Sequence, residues 1–228
     1  MFKQLENVTL EAHKELGVKL ATDFSQSKEL TSAPITANEY YEACKHYPIL
    51  FAKEANGTWF SLALLGVEKT NTFIDEENQW RKNCYIPAFV NRYPFLFLEQ
   101  EGKLLLTVDT TQQIKKSDAG ENYFFEEDGK YSVFLKKLVE ALTQTQNFNL
   151  LTQDFIKTLD ELRILEESGI SGKTAEGKEF SVGGFFIVKE EKLAKLTQKA
   201  QAKLCKKGYT QLLTAHIISV SNIQKLVN

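Results

Sequence analysis

The sequence predicts an α+β fold in which antiparallel β-hairpins in the first half pack with C-terminal amphipathic helices, as a single domain over residues 1–228. Three observations predict it. Two apolar runs joined by Asn56-Gly57 mark a hairpin early in the chain. From Tyr131 the apolar spacing changes from the strand period of two to the helical 3.6. A further β stretch, Gly169 to Lys189, returns between helical segments, so strands and helices segregate instead of alternating as βαβ units. With 228 residues, 43% of them apolar, the chain can bury a core without disulfide or metal staples.

Up to Pro34 the sequence is polar and weakly periodic, an extended arm or irregular lead-in holding one strand at most. Thr36 and Glu39 have capping-box spacing and open a short helix through Tyr40, Tyr41 and Cys44, which ends before Pro48. Ile49–Ala52 and Trp59–Val67 flank Asn56-Gly57 as the two strands of the hairpin. Phe73-Ile74-Asp75 reads as a strand, followed by the turn Glu76-Glu77-Asn78 and Trp80. KHYPILFAKEANGTWFSL and NRYPFLFLEQEGKLLLTV then form a pseudo-repeat. Each copy is a short helix, a Tyr-Pro break and a β-hairpin, the second beginning near Ile86-Pro87-Ala88-Phe89. Duplication and convergent hairpin chemistry explain the similarity equally well.

Asp109 to Gly129 is polar and reads as a long connection. Tyr131, Phe134, Leu135, Leu138, Val139 and Leu142 mark one helix face. Phe155, Ile156, Leu159, Leu162 and Leu165 mark another, with Thr152 as N-cap and Gly169 as stop, so the pattern predicts an αα-hairpin. Glu176-Gly177 is the turn of the later β-hairpin, and Gly183-Gly184 inside its return strand favours a bulge or close packing of backbones over a ligand contact. Two amphipathic helices close the chain, separated by Gly208. Leu193, Leu196, Ala200 and Leu204 form the stripe of the first; Leu212, Leu213, Ile217, Val220, Ile223 and Leu226 that of the second.

Charge and motif content exclude several functions. The net charge is -2, and only Arg81, Arg92 and Arg163 could supply bidentate phosphate or guanine contacts, so nucleic acid is not an expected partner. No apolar run approaches the roughly 20 residues of a membrane span, and Glu6, Glu11, Lys14 and Glu15 interrupt any secretory signal, which predicts a cytoplasmic location. Cys44, Cys84 and Cys205 have neither disulfide-framework nor zinc spacing, and glycine-rich phosphate loops are absent. No cofactor, metal or catalytic residue is therefore assigned. Glu126, Glu127 and Asp128 lack the spaced ligands of a calcium loop, and the lysines at 192, 195, 199, 203 and 206 read as the solvated face of a core-packed helix. Of the histidines, His216 stands three residues before Ser219 without an evident orienting carboxylate, and His46 sits at a helix end beside Tyr47-Pro48.

The most distinctive words are Trp80-Arg81-Lys82-Asn83-Cys84-Tyr85-Ile86-Pro87 and Asn91-Arg92-Tyr93-Pro94. They can form an amphipathic pocket, with Arg92 as an anion clamp and Trp80 and Tyr85 as walls, or they can simply end helices and fill core. Candidate ligand- or partner-binding residues are Trp80, Tyr85, Arg92, Tyr93 and His46.

Pro34-Ile35-Thr36, Tyr47-Pro48-Ile49-Leu50-Phe51, Ala63-Leu64-Leu65-Gly66, Phe73-Ile74-Asp75, Trp80, Tyr85-Ile86-Pro87-Ala88, Arg92-Tyr93-Pro94-Phe95, Gly183-Gly184-Phe185 and the segment from His216 to Leu226 resemble, in this order, the SapC family of bacterial proteins. The resemblance runs over nearly the whole chain and carries no catalytic residues with it. It implies association with the bacterial surface layer (S-layer) and a non-catalytic accessory or interaction protein, with a cell-surface location if export uses a non-Sec route. It also implies an alternative, since relatives are encoded near flavin-dependent halogenase-like and cupin-like proteins. That alternative is a cytoplasmic small-molecule or peptide binding protein, or an enzyme acting with such partners, using His46 or His216 as base. The partner is thus a protein or a small molecule.

Overall fold

A computed structural model describes residues 1–67, 69–173, 177 and 179–226. The N-terminal lead-in holds three strands, β1 (Leu5–Asn7), β2 (Leu16–Val18) and β3 (Ser32–Ile35), with a one-turn helix α1 (Leu10–His13) between the first two. β1 and β2 are three residues each and pair far along the chain, Leu5 opposite Asp109 and Leu16 opposite Lys115, so local periodicity cannot reveal them. The capping box forms as expected: the Glu39 carboxylate accepts from the Thr36 amide at 2.8 Å, and a 3₁₀ turn runs into α2 (Tyr40–Ala43). Next, β4 (Ile49–Lys53) and β5 (Trp59–Leu64) make the expected hairpin, with Gly57 at φ 88° in its turn.

Phe73-Ile74-Asp75 departs from expectation. Only Ile74 bridges Trp80, across a turn in which the Asp75 carboxylate accepts from the Gln79 amide at 2.8 Å. The second Tyr-Pro unit follows as α3 (Ala88–Asn91), β6 (Phe95–Gln100) and β7 (Lys103–Asp109). Both units are a short helix, a break and a hairpin, but their hairpins lie in different sheets, and the Tyr93–Pro94 peptide is cis. The stretch after Asp109 is more than a connection: it contains β8 (Gln113–Lys115), which pairs with β2, and buries Phe124 and Phe125.

The expected αα-hairpin is one helix, α4 (Val133–Glu161), 29 residues long. Its N-cap is Ser132, whose Oγ accepts from the Leu135 amide at 3.1 Å. Thr152 lies inside the helix: its hydroxyl donates to the Phe148 carbonyl at 2.7 Å and accepts from the Ala37 amide at 2.8 Å. The helix stops at Arg163, φ 57°, whereas Gly169 lies within the next strand. The apolar stripe is interrupted because α4 passes from one core to another. Leu135 and Leu142 join Val18, Phe95, Val108 and Phe124; Phe155, Ile156 and Leu159 join the larger cluster around Tyr40, Tyr47, Phe51 and Leu213.

β9 (Leu165–Lys173) and β10 (Glu179–Val188) form the late hairpin. Of its expected turn, Gly177 has φ 80° and Glu176 lies outside the described residues. The register shifts between Val182 and Phe185, which places the bulge at Gly183-Gly184. The expected penultimate helix is two, α5 (Glu190–Ala194) and α6 (Gln198–Lys206), because Thr197 restarts the helix by accepting from the Ala200 amide. After Gly208, α7 (Tyr209–Val220) runs into a 3₁₀ segment, Ser221–Leu226. The strand orders are β3-β5-β4-β10-β9, β1-β7-β6 and β2-β8, every pair antiparallel, so the fold is α+β. Among the described residues no helix is long and apolar enough to cross a membrane.

Candidate functional site

Trp80 and Tyr85 join one buried hydrogen-bond chain with Tyr47 and Glu39. Trp80 is buried between Phe24 and Phe73, and its Nε1 donates to the Tyr47 hydroxyl at 3.1 Å. That hydroxyl donates in turn to the Tyr85 carbonyl. The Tyr85 hydroxyl donates to Glu39 Oε1 at 3.0 Å, where the Ala88 amide, the first of α3, also donates at 2.9 Å. Glu39 Oε2 serves the capping box of the first Tyr-Pro unit. One carboxylate, only 3% exposed, thus binds the helix of the first unit to the helix of the second. Burial raises the phenol pKa values of Tyr47 and Tyr85, and the Glu39 charge raises that of Tyr85 further, so both remain neutral donors.

Arg92 and Tyr93 follow α3. The Arg92 guanidinium lies 4.6 Å over the Phe89 ring, and its Nε is buried without a hydrogen-bond partner among the described residues. Burial lowers its pKa to about 10 against the opposing pull of Glu39, so it remains a cation at neutral pH. Tyr93 meets the Phe2 ring at a tilt, centroids 5.4 Å apart, and lines a cleft of about 520 Å³ with Lys3, Lys19, Asp23, Thr111 and Gln112. His46 stands apart: its ring is 5.9 Å from that of Tyr47, and no carboxylate pairs with it among the described residues. Burial and the Lys225 and Lys45 charges lower its pKa. The structure therefore brings Trp80 and Tyr85 into one network, sets Arg92 within the electrostatic reach of Glu39, puts Tyr93 in a cleft wall and leaves His46 outside all three.

The links missed in sequence are Glu39 and Tyr47. Glu39 was visible as a cap and Tyr47 as half of a Tyr-Pro word, but nothing local shows that both reach residues 80 to 88.

His216 is fully engaged by backbone. Its Nε2 accepts from the Val188 amide at 3.0 Å, and its Nδ1 is 2.8 Å from the Ile49 carbonyl, which makes Nδ1–H the donor. Phe186 pairs with Phe51, so two residues on in the same register Val188 would face Ile49; the imidazole bridges their backbones between β10 and β4. Burial lowers its pKa to about 4. His13 is also buried, with Nδ1 accepting from the Thr9 amide at 3.3 Å. Of the lysine stripe, Lys192 pairs with Glu166, and Lys203 pairs with Glu161. Among the described residues no group of three or more His, Cys, Asp or Glu is placed to hold a metal ion.

Fold and site define an α+β protein in which two helix–Tyr-Pro–hairpin units are joined through one buried carboxylate. The SapC family model matches residues 8–226, and the chain belongs to the SapC family. Neither a curated protein nor a solved structure matches it.

Proposed function

We propose that this SapC-family protein is a non-catalytic accessory or interaction protein of bacterial surface-layer biology, capturing a protein partner at the surface around Arg92 and Tyr93, with Trp80 and Tyr85 as its frame. The observation that carries the reading is the Trp80–Tyr47–Tyr85–Glu39–Ala88 chain, which fixes α3 and with it the positions of the half-buried Arg92 and the largely buried Tyr93 that follow it. Preorganisation of this kind lowers the cost of ordering a recognition surface. An acid–base role is less well supported, because backbone groups occupy both His216 nitrogens and His46 has no orienting carboxylate among the described residues. The family name supplies the surface-layer context.

The test is fractionation of the native organism and identification of what co-purifies with tagged protein. Recovery with surface-layer subunits, reduced several-fold by Arg92→Ala while the thermal transition is retained, is the expected result. Loss of folding with no separable capture defect counts against it.

A second reading, a cytoplasmic small-molecule binding protein, is favoured by the cleft beside Tyr93.

A further inference from the structure

The cleft beside Tyr93 is assembled from four separate stretches of chain: Lys3, residues 19–26, Tyr93, and Thr111-Gln112. Its walls are tied together beneath the surface. Asp109, fully buried, accepts from the Lys3 amide at 2.7 Å and from the Thr111 amide and hydroxyl at 3.1 and 2.8 Å, while the Lys19 amide donates to the Gln112 carbonyl at 3.0 Å. Burial opposes ionisation of Asp109, yet these hydrogen bonds hold its pKa below the usual carboxylate range. It is a satisfied internal anion outside the cleft lining.

The lining itself carries three charges. Lys3 and Lys19 are exposed and have no carboxylate within ion-pair distance among the described residues. Asp23 accepts from the Ser25 amide at 2.9 Å, which occupies one of its oxygens. One positive charge is left in excess, which suits a monoanion better than a dianion. The remaining lining offers hydroxyls from Thr22 and Ser25, the amide of Gln26 and the edge of the largely buried Tyr93; the Thr111 hydroxyl, whose proton goes to Asp109, and the Gln112 side chain, whose amide donates to the Thr111 carbonyl, keep oxygen acceptors for ligand hydroxyl groups.

We propose that this cleft binds a small hydroxylated carboxylate of the sugar-acid class, its carboxylate held by Lys3 and Lys19 and its hydroxyls by the Thr111-Gln112 wall and Tyr93. The inference rests on the small-molecule reading; the cleft shares Tyr93, but not Arg92, with the proposed capture surface.

The experiment titrates the full chain with glucuronate, glucose and acetate while backbone amide resonances are followed. Glucuronate should saturate shifts at Lys19, Thr111 and Gln112, with glucose and acetate each at least about tenfold weaker, which is about 1.4 kcal/mol. Lys3→Gln and Lys19→Gln should each weaken glucuronate several-fold, while Lys199→Gln, on exposed α6, should not. Both cleft lysines are exposed, so a retained thermal transition separates a binding defect from unfolding. Glucose shifting the same resonances as strongly as glucuronate overturns the sugar-acid assignment and leaves the small-molecule reading standing, and acetate matching glucuronate removes the role of the hydroxyls. If none of the three moves the cleft resonances, the sugar-acid assignment fails.

Discussion

The imidazole of His216 occupies the position of a strand–strand hydrogen bond, and its protonation state is part of the fold. It must be neutral for Nε2 to accept from Val188. Its folded pKa, about 4, lies below the unfolded value near 6.5, so the unfolded chain binds the extra proton between them. The stabilisation is complete above pH about 6.5 and is lost as pH falls toward 4, by about 3 kcal/mol in all. Burial lowers the pKa of His13 too, and its contribution has the same sign. Urea unfolding between pH 4 and 8 measures this; a flat profile across that range contradicts it. A second prediction at this scale concerns Tyr85→Phe. It removes a hydrogen bond to a buried carboxylate and should cost about 2 kcal/mol by urea midpoint, leaving the Ala88 and Thr36 donors to hold Glu39.

At the scale of elements, α4 separates pattern from structure. Residues 143 to 147 are polar, and Phe148, Leu150 and Leu151 beyond them are exposed, so by periodicity alone the stretch looks like a loop between two helices. No glycine or proline interrupts them, and the helix persists because its ends are anchored in different cores. Asn147→Pro discriminates the two arrangements. In a continuous helix it removes a hydrogen bond and clashes one turn back, costing about 3 kcal/mol, whereas a loop would accept it nearly unchanged. Circular dichroism with thermal unfolding reads the difference. Thr152→Ala leaves the buried Ala37 amide without its acceptor and should cost about 1–3 kcal/mol, although Thr152 is far in sequence from the capping box it supports. By contrast the capping box, both Tyr-Pro hairpins and the Gly183-Gly184 bulge were legible, since each is specified by residues within a few positions of one another.

Over the whole molecule, two hydrophobic clusters both draw side chains from α4. We expect residues 1–228 to unfold as a single domain because α4 contributes to both clusters, so melting the helix uncovers apolar side chains in both. Leu135→Ala and Phe155→Ala, one in each cluster, should both lower the same transition, each by about 2–5 kcal/mol. Two transitions, each sensitive to only one substitution, would show separate domains.

What residue types and spacings determined on their own was the class of fold, the two Tyr-Pro hairpins, the Thr36–Glu39 capping box and the words in which the candidate residues occur. These depend on backbone preferences and side-chain period, which act over a few residues. Tertiary structure alone decided that three-residue strands near the N-terminus pair with β7 and β8, that α4 is unbroken, and that Glu39, Tyr47, Trp80 and Tyr85 form one chain of hydrogen bonds. It also decided which of the distinctive residues reaches a cleft: Tyr93 does so because Asp109 draws Lys3 and Thr111 to the same place. The physical reason is common to all of these. A buried amide, hydroxyl or carboxylate must find a partner, and the partner is chosen by proximity in the folded chain, which local sequence does not encode.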